Sequence, residues 1–80
     1  MDEAILEEVR TLVAEQLGVD RATVSATASF EEDLRADSLT LVELLMAIEE
    51  KFELPDIPEE DADGIKTVGD VVKYIESKKS

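Results

Sequence analysis

The chain has 80 residues, of which 21 are acidic and 8 are basic; its formal net charge is −13, and it contains neither histidine nor cysteine. These counts exclude a catalytic Ser-His-Asp or Cys-His pair, a zinc site of the usual ligands and a stabilising disulfide. A hydrophobic fraction of 44% is too high for a disordered acidic tail, so we expect one small folded domain over residues 1–80.

The negative charge also limits the partners that the chain can have. A surface of this sign repels nucleic acid and anionic lipid heads and attracts basic protein surfaces. The sequence has no apolar stretch of membrane-spanning length and no signal-peptide pattern, so we expect a cytoplasmic monomer. Residence in an organelle after removal of a transit peptide stays open. The acids concentrate in residues 31–63, which carry 13 acids and 2 bases, and this segment is the candidate docking face for a basic partner.

The first predicted helix covers residues 3–17 and is followed by Gly18, a natural C-terminal cap. Its apolar residues recur at the spacing of one helical face: Ile5, Val9, Leu12, Val13 and Leu17. Residues 19–36 are mostly small and polar, which predicts a long loop. Three isolated apolar residues should anchor that loop to the core: Val24, Phe30 and Leu34.

The second predicted helix runs from Ser38 to about Phe52, and Asp37 precedes it as an N-terminal cap. It holds more apolar residues than one buried stripe requires. They are Leu39, Leu41, Val42, Leu44, Leu45, Met46, Ile48 and Phe52. We therefore expect this helix to be the central one.

Two further helices should follow Pro55 and Pro58, the prolines that end the second helix. One turn of helix fits between Pro58 and Asp63, and we expect the surrounding segment, residues 56–65, to be mobile. Thr67 and Asp70 form the pattern of a capping box that begins the last helix. Its inward residues are Val68, Val71, Val72 and Ile75. The sequence thus predicts an all-α fold, a small four-helix bundle with a long first loop and a short third helix.

Ser38, at the first turn of the most apolar helix, is the most informative single residue. The simplest interpretation is that Asp37 and Ser38 only begin a helix. No neighbouring base could activate Ser38 as a nucleophile. The free N–H groups and positive dipole of a helix N-terminus do favour a phosphate on its hydroxyl. The position is therefore suited to a phosphodiester attachment.

The run Asp37-Ser38-Leu39 and the helix that follows resemble the modification site and second helix of acyl carrier proteins. The resemblance covers nearly the whole chain and includes Leu17-Gly18-Val19, Phe30, Asp33-Leu34, Ile57-Pro58, Asp61-Ala62 and Tyr74-Ile75. It implies that Ser38, between Asp37 and Leu39, carries a 4′-phosphopantetheine arm whose terminal thiol holds acyl groups as thioesters. The chain would then be a non-catalytic carrier, loaded by a phosphopantetheinyl transferase, that shuttles growing acyl chains between enzymes of fatty acid biosynthesis.

Two further sets of residues receive roles under this interpretation. For docking to basic patches of partner enzymes we assign Asp37, Glu43, Met46, Glu49 and Glu50. Glu43 and Glu50 lie seven residues apart and so share one helix face, although acids on an exposed helix can also serve solubility alone. Residues implied to line a cavity for the acyl chain are Phe30, Ile48, Ala62 and Ile65. The alternative for these four is simple packing against one another.

Departures from the family pattern leave the pathway open. Arg35 stands where glycine is usual, Thr40 and Leu41 replace more polar or smaller residues, and the segment 52–58 is about one residue longer than usual. Carriers for polyketides, specialised lipids or aminoacyl units share this fold and differ at such positions. These carriers are the alternatives to the fatty acid pathway.

A rival from another class is a calcium-binding interaction protein. The residues that match a calcium-loop template are Glu59, Asp61, Asp63, Gly64 and Asp70. Lys66 stands where an apolar side chain would pack, and Pro58 interrupts the helix that should lead into the loop. We therefore predict no metal site.

Overall fold

The structure is a computed structural model and describes residues 2–79. Its elements in chain order are α1 (Glu3–Leu17), a single 3-10 turn (Arg21–Thr23), α2 (Ser38–Phe52), α3 (Glu59–Asp63) and α4 (Val68–Lys79). Within residues 2–79 the only β-type pairing is one isolated antiparallel bridge between Ser29 and Thr67. The all-α fold with a long first loop and a short third helix is confirmed; the 3-10 turn was not predicted.

The helix ends follow from local side chains. Asp2 caps α1, because its Oδ1 accepts hydrogen bonds from the N–H groups of Ala4 (2.9 Å) and Ile5 (3.3 Å). Gly18 ends α1 in the left-handed conformation, with φ of 67°. The C-terminal cap predicted at Gly18 thus lies where the sequence pattern places it.

The capping box before α4 is also confirmed. Asp70 Oδ2 accepts the N–H of Thr67 (3.1 Å), and Thr67 Oγ1 accepts the N–H of Asp70 (3.2 Å). Asp70 Oδ2 accepts the N–H of Lys66 as well, at 3.0 Å. These contacts fix the chain that enters α4.

The core is formed mainly by one face of each long helix. α1 contributes Val9 and Val13, and α4 contributes a larger set that is almost completely buried: Val68, Val71, Val72 and Ile75. The buried side chains of α2 are Leu44, Leu45, Ile48 and Phe52. None of the helices in residues 2–79 is both long and apolar enough to cross a bilayer.

The long first loop is held to the helices by buried side chains and by hydrogen bonds at two places. The predicted anchors Val24, Phe30 and Leu34 are all buried. Arg10 of α1 also holds the loop, since its Nε donates to the carbonyl of Val24 (2.6 Å). Further along, the N–H of Phe30 donates to the carbonyl of Lys66 at 3.0 Å. The loop is therefore fixed to the segment that precedes α4, which brings residues 29 and 30 close to residue 66.

Candidate functional site

Ser38 is the first residue of α2 and is exposed. The preceding Asp37 caps the helix: its Oδ1 accepts the N–H of Thr40 at 2.8 Å, and its carbonyl accepts the N–H of Leu41 at 2.9 Å. The hydrogen bond from Thr40 lowers the pKa of the Asp37 carboxyl below its ordinary value. Asp37 is therefore an anion at neutral pH, and in the described part of the chain the hydroxyl of Ser38 has no hydrogen-bond partner.

A left-handed residue turns the loop into α2. Arg35 has φ of 55°, between the buried residues Leu34 and Ala36. The N–H of Ala36 donates to the carbonyl of Phe30 at 2.7 Å, which closes this turn. Residues with a Cβ rarely adopt positive φ, and glycine does so freely. This conformation explains in physical terms why glycine would be usual at this position.

A cavity of about 310 Å³ opens beside Ser38, between α2 and α3. Its apolar wall consists of Phe30, Leu41, Val42, Leu45, Ala62 and Ile65. Its polar rim consists of Ser29, Glu31, Ser38, Glu59, Asp63 and Lys66. An exposed hydroxyl thus lies at the edge of a space with apolar walls.

Three of the four residues assigned to an acyl cavity, Phe30, Ala62 and Ile65, line this space. Ile48 does not line it in this structure, and its assignment to an acyl cavity stays a prediction. It lies one turn beyond Leu45 on α2 and is almost completely buried in the core with Leu44 and Phe52. Leu45 and Ile48 lie about one turn apart on the same helix, and only Leu45 lines the cavity.

A second cavity of about 400 Å³ adjoins the first. The two share Val42, Leu45, Glu59 and Ala62. The other residues that line the second cavity are Met46, Glu49, Asp56 and Ile57. Together the cavities follow the length of the contact between α2 and the segment that contains α3.

The outer face of α2 carries both apolar and acidic side chains. Leu39, Val42 and Met46 are 69%, 52% and 57% exposed, and their spacing of three and four residues places them on one face. Of the acids assigned to docking, Asp37, Glu43 and Glu50 are exposed.

Glu49 differs from the other acids assigned to docking. It is half-buried, and its Oε2 accepts the N–H of Ile57 at 3.0 Å. Its carboxylate thus holds the loop that follows α2, as well as lying at the wall of the second cavity.

The residues of the calcium-loop template do not form a loop. Glu59, Asp61 and Asp63 lie within helix α3, and Asp61 Oδ2 accepts the hydroxyl of Tyr74 at 3.2 Å. Asp70 is engaged in the capping box. Across residues 2–79 no group of three or more acidic side chains is arranged to hold a metal ion.

Several residues around Ser38 were not assigned from the sequence: Leu41, Val42, Leu45 and Lys66. The first three carried a usable signal, because positions three, four and seven after Ser38 lie on the same helix face as Ser38. Lys66 carried no such signal. It reaches the site through the tertiary pairing of the long loop with the chain before α4.

A family model described as a phosphopantetheine attachment site matches residues 7–75, most of the chain. The chain belongs to this family. It is a phosphopantetheine-dependent carrier protein of the acyl carrier type, and its covalently bound cofactor is 4′-phosphopantetheine. A carrier of this kind interacts with synthase enzymes and with the groups that it carries.

Proposed function

We propose that this carrier bears its 4′-phosphopantetheine arm on Ser38 and serves fatty acid biosynthesis without catalysing a reaction itself. The observation that carries the proposal is the exposed hydroxyl of Ser38 at the edge of the apolar cavity. Asp37 and Leu39, on either side of Ser38, are also exposed. This stretch is therefore accessible to a modifying enzyme.

The position of Ser38 suits a phosphodiester. The first N–H groups of α2 and its positive dipole end lie next to the hydroxyl and favour a negative charge there. In the loading step Ser38 Oγ gives its proton to a base of the transferase and forms one oxygen–phosphorus bond. The pyrophosphate bond of coenzyme A breaks, and its nucleotide half leaves with the electron pair of that bond. Once bound, the arm supplies a terminal thiol, on which acyl groups are held as thioesters.

The walls of the cavity favour an acyl chain over an aminoacyl group. Six apolar side chains form these walls, and the acids and the lysine lie at the rim. Each methylene that moves from water into such a space contributes about 0.8 kcal/mol. An aminoacyl group carries an ammonium that gains nothing from apolar walls. The cavity therefore supports transport of acyl chains, with Phe30, Ala62 and Ile65 as their contacts.

The exposed face of α2 is the proposed docking surface for partner enzymes. Met46 supplies an apolar contact, and Glu43 and Glu50 supply charges for a basic patch. Such charge pairs raise the association rate and leave the complex short-lived. A carrier that visits several enzymes in turn requires both properties.

The attachment site can be tested by intact-mass spectrometry after incubation with a phosphopantetheinyl transferase and coenzyme A. We expect one added arm on the wild type and none on Ser38→Ala. Ser29→Ala is the matched control, because Ser29 lines the same cavity and its Oγ accepts only a long hydrogen bond from Glu32 (3.3 Å). An arm on the Ser38→Ala variant, or its absence from the wild type, would contradict the proposal. The holo protein should then accept malonyl or acyl groups from a fatty acid transacylase and no amino acid from an aminoacyl-activating enzyme.

The docking surface can be tested by stopped-flow measurement of association with a fatty acid synthesis enzyme. Glu43→Lys and Glu50→Lys should slow association, and added salt should reduce the difference. Glu8→Lys changes the net charge equally on the exposed side of α1 and should have the smaller effect. Equal effects at all three positions would show that only net charge matters.

A further inference from the structure

Lys66 and Ser38 line the same cavity. Among the described residues of its lining, Lys66 is the only basic one, and Glu31, Glu59 and Asp63 are acidic. A phosphodiester on Ser38 would add another negative charge to this rim. Its electrostatic cost is lowest if the one cation there moves toward it.

The backbone of Lys66 is fixed on both sides, whereas its side chain is free. Its N–H donates to Asp70 Oδ2, and its carbonyl accepts the N–H of Phe30, both at 3.0 Å. The side chain is exposed and makes no hydrogen bond or ion pair within residues 2–79. The backbone of Lys66 is thus held at the rim of the cavity, and its ammonium is available to a group that the protein acquires later.

We propose that the Lys66 ammonium pairs with the phosphodiester of the arm on Ser38 and holds the start of the arm across the mouth of the cavity. This inference rests on the proposed attachment at Ser38. Lysine binds phosphate oxygens as a compact point charge on a flexible stem, so its position need only be approximate. Lys66 is therefore a positioning residue, which directs the arm toward the apolar wall instead of toward solvent.

The phosphorus resonance of the phosphodiester provides the test, followed by NMR of the holo protein. It should move in Lys66→Met, by less at high salt because screening weakens the pair, and be retained in Lys66→Arg. Lys73→Met removes an exposed lysine of α4 that lines a different cavity, and it should leave the resonance unmoved.

The outcomes separate the two proposals. An arm on Ser38 whose phosphorus resonance is the same in the wild type and in Lys66→Met would overturn this inference and leave the attachment site intact. That result would mean that the ammonium of Lys66 stays in solvent when the arm is attached. Absence of the arm from Ser38 would overturn both.

Discussion

The two sides of this bundle differ in what their apolar residues do. On one side, α1 buries Val9 and Val13 and α4 buries Val72 and Ile75, all of which are inaccessible to solvent. On the other side, α2 leaves Leu39, Val42 and Met46 exposed. Apolar side chains that are exposed together on one helix face are typical of a binding surface. The comparison indicates that α2 packs one face into the core, as α1 and α4 do, and presents apolar groups on its other face.

The charges divide in the same way. The ion pairs found within residues 2–79 both involve Glu7 of α1, which contacts Arg10 and Arg21. On α2, Glu43 and Glu50 are exposed and have no ion-pair partner in that part of the chain. Unpaired charges at an exposed face repel one another within the free carrier and are available to a basic partner. The outer face of α2 thus exposes both apolar and acidic side chains to which a partner can bind.

The largest expected effect follows from deletion of core volume on the stable side. Ile75→Ala should lower the free energy of unfolding by about 2–5 kcal/mol, because it removes completely buried methyl groups and leaves a cavity. Met46→Ala on the exposed face should change it by less than about 0.5 kcal/mol. Urea unfolding followed by circular dichroism measures both. Ile75→Val, expected to cost about 0.5–1.5 kcal/mol, keeps the comparison measurable if the alanine variant does not fold. Equal losses at positions 46 and 75 would contradict the division.

The next largest effect concerns the acyl chain on the functional side. The stability of the acylated protein should rise by about 0.8 kcal/mol for each buried methylene until the cavity is full, as thermal melting of a chain-length series would show. Ala62 lines both cavities, so the ring of Ala62→Phe should fill space and lower the limiting chain length. Glu60→Phe, on the same helix but outside these two cavities, is the control. A melting temperature independent of chain length would show that the chain stays outside.

A smaller effect is expected at the junction of the two sides, in the capping box before α4. Thr67→Ala should cost about 1 kcal/mol, since the N–H of Asp70 loses its acceptor. The N–H of Lys66 lowers the pKa of the Asp70 carboxyl below its ordinary value of 3.8. Because the folded state prefers the ionised form, the stability from this group is complete above the unfolded pKa and is lost as the pH falls through the folded pKa. Urea titrations performed from pH 7 downward measure how the free energy of unfolding decreases with pH. In Asp70→Asn the part of this decrease that comes from Asp70 should be missing. A pH profile identical to that of the wild type would contradict the assignment.

The sequence predicts the helices well because their boundaries are set by adjacent residues. Gly18, Asp37 and the Thr67–Asp70 pair act within one or two turns of their own positions, and their patterns can be identified without tertiary information. The 3-10 turn at Arg21–Thr23 carries no apolar periodicity, so nothing in the sequence marks it.

The surroundings of Ser38 were harder to predict, because they depend on contacts between distant segments. Ile48 and Leu45 are both apolar residues of α2, and only the packing of the bundle decides which one lines the cavity. Lys66 reaches the rim because the carbonyl of Lys66 pairs with the N–H of Phe30, a contact without a local pattern. The attachment role of Ser38 and the docking role of the α2 acids stay predictions that the experiments above address.

The ends of α1 and α2 offer the finest comparison of the two sides, since they adopt the same turn with different residues. Gly18 and Glu53 are both left-handed, with φ of 67° and 53°. In both turns the N–H of the following residue donates five residues back, from Val19 to the carbonyl of Ala14 (3.1 Å) and from Leu54 to that of Glu49 (2.9 Å). The stable side thus places glycine where the conformation requires it, and the functional side does not.

This difference predicts that two substitutions have opposite effects on the free energy of unfolding. A left-handed residue with a Cβ is strained by about 1–2 kcal/mol, and a new glycine costs about 0.4–1 kcal/mol through the greater freedom of the unfolded chain. Glu53→Gly should therefore raise the free energy of unfolding by up to about 1 kcal/mol. Gly18→Ala should lower it by a similar amount through φ alone, because a Cβ at Gly18 meets no atom within 4 Å. Urea titrations of the two variants, fitted with the same dependence of the free energy of unfolding on urea concentration, would measure both changes. A change of the same sign in both variants would show that the turns are not equivalent.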